Sequence, residues 1–504
     1  MAKSKRSSRP KSGTSRSTAL VATTRVVLFG VAFTGGWTIM MLEILGGRVL
    51  APVFGYSVYQ WGALIGVVMT ALAFGYYLGG KIGDRPWSSR FLLFALIVSA
   101  IFVLIVPRFA DQFMPAMRSF GPAWGAVFGT VVLLGVPSVL LATISPIVIR
   151  LTASSLIAKS AGRVYAVSTV GSIGGTFFTA FYAIPDLGTR LSHYVAGGLL
   201  MLAVIAMAVV SRQARPAFAA IVILGLGYPL AQKPQAGEIY RAESVHNIIR
   251  VVDTPYNRHL FLNYTLGAQT TMSKTRLLTG AYYDFYLIGP HINKAKKVLF
   301  LGVAGGTALL QLVSVYPKIE VTGVELDPAV IEVAKKYFGL AKAPRIELIA
   351  DDARWYLATK TEKYDIIAID LFVTGHIPFF TTTVEFFQLA RDRLTDNGII
   401  IMNVLSASGS GELLGPLVRT VRKVFPSTFL VSHGNFMLVA TKQPTSLSNM
   451  RGFMDRRGRT EELEQVLARA RRTLRATSAD RKWPIFTDDK NDVEFRTFST
   501  FFGR

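Results

Sequence analysis

The feature that most constrains this chain is a series of long apolar stretches crowded into its first half, near residues 26–46, 60–80, 91–107, 122–149, 164–185, 194–211 and 217–231. A helix needs roughly 20 apolar residues to cross the hydrocarbon core of a bilayer, so these stretches read as about seven membrane helices. The fourth is long and contains Pro137 and Pro146, and the seventh is short, so six or eight crossings also fit. With 51% of the 504 residues hydrophobic, the composition agrees with a membrane-embedded half joined to a second, unlike part. Small residues recur at helix-packing spacing, as in Gly75–Gly79 and Gly171–Gly175, which lets neighbouring backbones approach closely.

Charge is arranged around these stretches. Residues 1–24 are basic and serine-rich and are expected to form a disordered tail, followed by a transmembrane helical domain over 25–232. Lys81, Arg85 and Arg90 share one connection, Arg150, Lys159 and Arg163 another, and Arg212 and Arg215 a third. By the positive-inside rule these alternate connections face the cytoplasm, so the expected location is the inner cell membrane, multi-pass. Seven crossings would place the rest of the chain outside, whereas a domain using a cytosolic nucleotide belongs inside, and the reading leans cytoplasmic. The net charge of +24 is thus explained by topology, and nucleic acid is not an expected partner. Glu43 and Arg48 read as a helix-end pair reaching toward water rather than a transport path. The absence of cysteine excludes disulfides, thiolate metal sites and cysteine nucleophiles.

After residue 232 the pattern changes. Short runs such as Ile248–Val252 and Leu260–Leu262 between turn residues predict a small β segment over 236–290. Strand-like Lys297–Gly302, Ile319–Leu326, Arg345–Ala350 and Tyr364–Asp370 then alternate with helical Thr307–Val315 and Pro328–Phe338. That alternation predicts a Rossmann-like α/β domain over 291–445, with a parallel sheet covered on both faces. Residues 446–504 read as a basic C-terminal extension, whose stretch Glu461–Arg475 presents a solvated helical face.

Ligands in such sheets bind beyond the carboxyl ends of the strands, and the chemistry gathers there. The turn Gly302-Val-Ala-Gly305-Gly306 follows the first strand and opens a helix, so its backbone can pass close to a nucleoside. Glu325 ends the second strand, where a carboxylate can accept both ribose hydroxyl hydrogens. Asp351 and Asp352 end the third, placed to accept from an adenine amino group, and Asp370 ends the fourth on the same crevice. His246, His259, His291 and His376 have no metal-ligand spacing, so no metal is expected.

These motifs, with Ala-Asp351-Asp352-Ala-Arg and Tyr-Asp-Ile-Ile-Ala-Ile-Asp370, resemble the core of the polyamine aminopropyltransferases, the spermidine synthase family. The resemblance is best over 240–440. The apolar half is similar to the helical part of bacterial membrane-fused spermidine synthase-like proteins at Leu42-Glu43 through Phe54-Gly55 and at Gly162–Tyr165, as is Phe486–Asp489. The resemblance implies decarboxylated S-adenosylmethionine, or S-adenosylmethionine, as nucleoside substrate without a metal. It implies Glu325 on the ribose, Asp351 or Asp352 near the adenine, and Asp370 as the base that deprotonates an attacking amine. It also brings Gln269 and Asn247 into the nucleoside site and Tyr282 and Tyr283 into the substrate site. Two departures stand out: Gly305 and Val373 occupy positions that carry acids in the family, so the polyamine end is altered.

The expectation is therefore a bilayer-anchored transferase with a small-molecule amine acceptor, compatible with a homo-oligomer. The leading activity is aminopropyl transfer of the polyamine-biosynthesis type. Methyl transfer from S-adenosylmethionine and a non-catalytic nucleoside-binding sensor or transporter are the alternatives.

Overall fold

The computed structural model describes residues 13–153, 156–211, 236–265, 267–372, 377–405, 411–478 and 480–502. The seventh apolar stretch at 217–231, Arg212, Arg215, Val373 and His376 lie outside the described residues. The chain divides into two compact units. One is built from the apolar helices before residue 212, the other from the chain after 232, and the short segments Ala51–Ser57 and Arg118–Gly125 group with the latter.

In the helical unit the first helix runs Gly13–Phe54, so it begins inside the stretch expected to be a disordered tail. Helices Val58–Gly83 and Ser88–Phe113 follow. The long fourth stretch is divided into Pro122–Thr130, a π-helical Val131–Gly135, Val136–Ala142 and Ile144–Thr152. Proline explains the division: Pro137 and Pro146 each fall in the first turn of a new helix, where the missing N–H breaks no bond. Helix Ile157–Phe178 continues through a second π-helical stretch, Thr179–Leu187, which contains Pro185, and Gly188–Val210 comes next. Among the described residues, five stretches are long and apolar enough to cross a membrane, the last of them 54 residues long.

Glycine sets how closely these helices pack. A methyl group on Gly171 would lie 2.3 Å from the Phe33 carbonyl oxygen, and one on Gly175 the same distance from that of Trp37. Opposite them, Gly36 meets the Ser168 carbonyl oxygen at 2.1 Å on the same measure. Gly75 and Gly79 do the same against Val139 and Thr143, so the small-residue spacing in the sequence marks backbone-on-backbone contacts.

The second unit opens with an antiparallel meander of β1 (Glu238–Glu243), β2 (Ile248–Asp253), β3 (Asn257–Leu262) and β4 (Thr270–Ser273). The main sheet holds β5 (Lys297–Leu301), β6 (Glu320–Glu325), β7 (Ile346–Ala350), β8 (Tyr364–Ile369), β9 (Leu394–Val404), β10 (Ser427–His433), β11 (Asn435–Thr441) and the two-residue β12 (Arg475–Ala476). Their spatial order is β12-β10-β11-β9-β8-β5-β6-β7. Strands β7 to β9 run parallel, while β11 pairs antiparallel with β9. The sheet is therefore mixed rather than wholly parallel, because only Gly434 separates the paired ends of β10 and β11, too little chain for a crossover.

Two apolar layers cover the sheet. One gathers Phe300, Phe338 and Ile401, the other Leu301, Ile369 and Phe387. The stretch expected to be a basic extension belongs to these layers. Helix Glu461–Thr473 buries Leu463, Val466, Leu467 and Ala470, one stripe at helical spacing, and Phe486 and Val493 are buried in the opposite layer.

Candidate active site

The order of strands reverses between β5 and β8, and a cavity of about 300 Å³ opens beyond their carboxyl ends, where a switch-point crevice is expected. The two strands end so close together that a side chain at Gly302 is impossible. A methyl group there would lie 2.2 Å from the Asp370 carbonyl oxygen, and the residue's φ of +89° suits glycine. The three glycines expected in the nucleoside site part company at this point. Gly302 lines the cavity; Gly305 points at Thr270 Cγ2, 2.7 Å from a methyl group, and Gly306 at Leu340. The Gly305 N–H donates to Thr270 Oγ1 at 2.8 Å. An acid at position 305 would thus be directed into the packing against the meander, and its absence removes no charge from the cavity.

Glu325 lies at the end of β6 and lines the cavity. Its Oε2 accepts from the N–H groups of Val303 and Ala304 at 3.1 and 3.0 Å, which ties the carboxylate to the glycine turn. Burial raises its pKa, opposed by those backbone N–H bonds. Asp351 and Asp352 also line the cavity. Asp352 caps helix Ala353–Thr359 by accepting from Arg354 and Trp355 N–H groups, and Asp351 Oδ1 accepts from the Asp352 N–H.

Asp370 follows β8 and carries the most developed set of partners. Tyr282 donates its hydroxyl hydrogen to Asp370 Oδ2 at 3.0 Å, and Asn403 Nδ2 donates to Oδ1 at 2.9 Å. Asn435 Nδ2 in turn donates to Asn403 Oδ1 at 2.9 Å, which orients the Asn403 amide with its N–H₂ toward the carboxylate. Burial pushes the Asp370 carboxyl up to about 6, against the pull of the bonds from Asn403, Tyr282 and Tyr286. The same enclosure raises the Tyr282 phenol well above its ordinary value, so it remains a donor at neutral pH.

The Tyr282 and Tyr283 rings pack against each other, tilted by 40° with centroids 4.1 Å apart, and Tyr283 donates to the Gln269 carbonyl oxygen at 3.2 Å. Fully buried Asp284 holds their turn, accepting from Thr279 and Gly280 N–H groups and from Gln311 Nε2. Gln269 and Asn247 both line the cavity, but the Asn247 amide already serves the fold. Its Nδ2 donates to Asp327 Oδ2 at 2.8 Å while its Oδ1 accepts from Asn263 Nδ2, so it clasps the meander to the helix that Asp327 caps. Among the described residues no three His, Asp or Glu side chains converge as metal ligands.

Residues 287–460 match the family model described as the spermine/spermidine synthase domain. The chain carries a spermine/spermidine synthase domain. That domain spans β5 to β11 and holds Glu325, Asp351, Asp352, Asp370, Asn403 and Asn435. Two relatives extend the likeness. The probable polyamine aminopropyl transferase of Bifidobacterium longum is 31% identical over 51% of this chain and 61% of its own length. Polyamine aminopropyltransferase 2 of Aquifex aeolicus is 23% identical over 89% of this chain and 93% of its own length, a match that runs through the helical unit as well. Among solved structures, a probable spermidine synthase from Corynebacterium glutamicum aligns at 18% identity over 52% of this chain and 97% of that one, with a TM-score of 0.41.

Asn403, Asn435 and Glu494, which also lines the cavity, were not among the residues expected from the sequence. The first two follow the fourth predicted strand by more than thirty residues, in a part of the domain where no strand was expected. The apolar run Gly398–Val404 carries a strand signal that would have found Asn403.

Proposed function

We propose that this chain is a membrane-anchored aminopropyltransferase that takes the aminopropyl group from decarboxylated S-adenosylmethionine to an amine. One observation carries the reading. In a chain of net charge +24, the described lining of the cavity contains Glu325, Asp351, Asp352, Asp370 and Glu494 and neither lysine nor arginine. Such a lining repels phosphate-bearing cofactors and favours a cationic guest, since like charges in a partly dry cavity interact strongly. S-adenosylmethionine brings a carboxylate into the same space, where no Lys or Arg of the described lining would meet it. The decarboxylated form brings only a sulfonium and an ammonium. The names of the relatives support the same choice over methyl transfer.

The chain's own groups divide the work. Glu325 accepts from the ribose hydroxyls, and Asp351 or Asp352 from the adenine amino group. Asp370 takes the proton that the acceptor ammonium must lose before its nitrogen can attack the carbon beside sulfur. The carbon–nitrogen bond forms as the carbon–sulfur bond breaks, and its electron pair neutralises the sulfonium, leaving methylthioadenosine. A carboxyl near 6 is a better match to this proton than one near 4, and Tyr282 and Asn403 hold it in one orientation.

The helical unit is read as the anchor. The stretch Ile157–Val210 is about 81 Å long at 1.5 Å per residue, enough for two crossings, so the five apolar stretches among the described residues correspond to six crossings before residue 211. A nucleoside substrate made in the cytosol supports a cytoplasmic synthase domain in an inner membrane.

The test is incubation of the purified full-length protein with decarboxylated S-adenosylmethionine and a panel of amines, followed by mass spectrometry. Amine-dependent release of methylthioadenosine is expected. Demethylation of S-adenosylmethionine instead would replace the reading with methyl transfer, and a bound nucleoside that is never consumed would leave a binding module.

A further inference from the structure

The match to the synthase family ends at residue 460, yet the chain beyond it fastens part of the cavity wall. A methyl group on Gly415 would lie 2.4 Å from the Trp483 indole, so Trp483 seats this segment on helix Gly411–Val424. Phe486 is buried; its N–H donates to Thr420 Oγ1 at 2.9 Å, and its carbonyl oxygen accepts from the Val384 N–H at 2.9 Å. From this seat the chain reaches the short turn Phe379–Thr381, which supplies Phe380 and Thr381 to the cavity lining. Asn491 Nδ2 donates to the Phe379 carbonyl oxygen at 2.9 Å and to Thr382 Oγ1 at 3.0 Å. Asp488 reaches the same turn through Arg354. The Arg354 Nη1 donates to Asp488 Oδ1 at 2.7 Å and to the Phe380 carbonyl oxygen at 2.9 Å, while Nη2 pairs with Asp488 Oδ2.

Arg354 is the second residue of helix Ala353–Thr359, whose N-cap Asp352 lines the cavity with Asp351 and Ala353. Its guanidinium therefore joins the end of β7 to the turn Phe379–Thr381. Both pieces of wall belong to one cavity, and the acids at the end of β7 are those read as meeting the nucleobase. A lone arginine side chain has many rotamers and would hold a carbonyl only part of the time. A carboxylate that accepts from both Nη atoms fixes the plane of the fork and leaves one Nη1 hydrogen directed at Phe380. The guanidinium in turn holds the Asp488 carboxyl below its ordinary pKa range. A wall fixed before the ligand arrives spares binding the cost of ordering it. We propose that Asp488 and Asn491 are positioning residues of the nucleoside site, holding the turn Phe379–Thr381 against the helix capped by Asp352 so that the nucleobase end of the cavity is preformed. The inference rests on the nucleoside reading of the cavity and adds to it two residues from beyond the family domain. Neither belongs to the described lining; they act through Arg354 and the backbone of the turn.

The experiment is calorimetric titration of the full-length protein with methylthioadenosine and with methylthioinosine, which carries an oxygen in place of the adenine amino group. The wild type is expected to prefer methylthioadenosine, whose amino group can donate to Asp351 or Asp352. In Asp488→Asn the affinity for methylthioadenosine falls by about threefold to tenfold, the span of a half-exposed charge-assisted contact. The preference over methylthioinosine shrinks with it, because a base beside a loose wall meets the carboxylate less often. Asn491→Ala removes the other hold on the turn and moves both readings the same way by about twofold to tenfold, the net worth of ordinary hydrogen bonds. Asp488→Glu keeps the charge and restores part of the affinity. A merely structural role would weaken both nucleosides equally, and an unchanged preference therefore overturns the proposal, as does an affinity that holds in both Asp488→Asn and Asn491→Ala. A wild type that binds neither nucleoside, or both equally, overturns the nucleobase assignment on which the inference rests, a failure visible before any variant is made.

Discussion

The two units of this chain use the same residue types in opposite ways. In the helical unit Phe74, Tyr77, Phe177 and Phe181 are each more than half exposed, and close interior approaches are made by Gly36, Gly171 and Gly175 backbone to backbone. In the synthase unit Phe285, Phe300 and Phe338 are buried, and the close glycine contact at Gly302 opens a cavity instead of closing a helix pair. Outward aromatics with small residues inside suit a bundle surrounded by lipid, where van der Waals packing replaces the hydrophobic effect. Inward aromatics suit a domain in water. The contrast teaches what a charged interior means in each setting: in the synthase unit the inward acids gather at one sheet edge, where they define a ligand.

The strongest way to test that contrast is to remove one acid without changing its shape. Asp370→Asn keeps the bond from Tyr282 but cannot accept the acceptor's proton, so turnover is expected to fall by roughly 10²–10⁴-fold, the range for positioned proton transfer. Nucleoside affinity, measured by calorimetry, should hold. Undiminished turnover with the true acceptor would remove Asp370 from the mechanism.

A smaller effect probes the other unit. Gly175→Leu drives a side chain into the Trp37 carbonyl, 2.3 Å from the position of the first added carbon, and overpacking of this kind costs about 1–3 kcal/mol or more. The helical unit should lose thermal stability while nucleoside affinity, carried by the synthase unit, remains. Equal loss of both would mean that the two units unfold together. Comparable in size at its upper end, Glu325→Ala should weaken nucleoside binding by about 1.5–3 kcal/mol, the range for hydrogen bonds to a charged group, and leave the helical unit untouched. An unchanged dissociation constant would exclude Glu325 from ribose recognition.

Much of this arrangement was legible because it follows chain order. Apolar runs ending in Gly302, Glu325, Asp351 and Asp370 announce parallel strands and place their acids at one edge. What escaped depends on contacts across the fold. Tyr282 meets Asp370 from 88 residues away, and the direction of Gly305 is decided by Thr270 in the meander. Asn247 faces the cavity yet spends its amide on Asp327 and Asn263, a choice that spacing cannot reveal. The C-terminal stretch is different, since Leu463, Val466, Leu467 and Ala470 repeat at helical spacing in plain view. Its many arginines drew attention to the solvated face, while the buried stripe was the stronger constraint.

The smallest effect concerns how Asp370, the proposed base, is kept ready. Burial raises the Asp370 carboxyl from 3.8 to about 6, so the ionised, proton-accepting form is lost as pH falls through about 6, and kcat/KM should show an acidic limb there. The sign for folding runs with it: ionising this carboxyl opposes the folded state, and the penalty is relieved as pH drops from about 6 toward its unfolded value. Asn403 opposes the rise by donating to Oδ1, and Asn435 keeps the Asn403 amide turned the right way. Asn403→Leu should therefore move the acidic limb upward by about one unit, since a hydrogen bond to a charged group is worth roughly 1.5–3 kcal/mol and one unit corresponds to about 1.4. Asn435→Leu should move it the same way by less, because the Asn403 amide is then free to turn its oxygen toward the carboxylate for part of the time. The measurement is the pH profile of kcat/KM for the three proteins with one amine acceptor, alongside nucleoside affinity as a check on the fold. A limb that stays at the same pH in Asn403→Leu, with turnover merely scaled down, would make the two asparagines packing residues of β9 and β11 rather than part of the proton-accepting site.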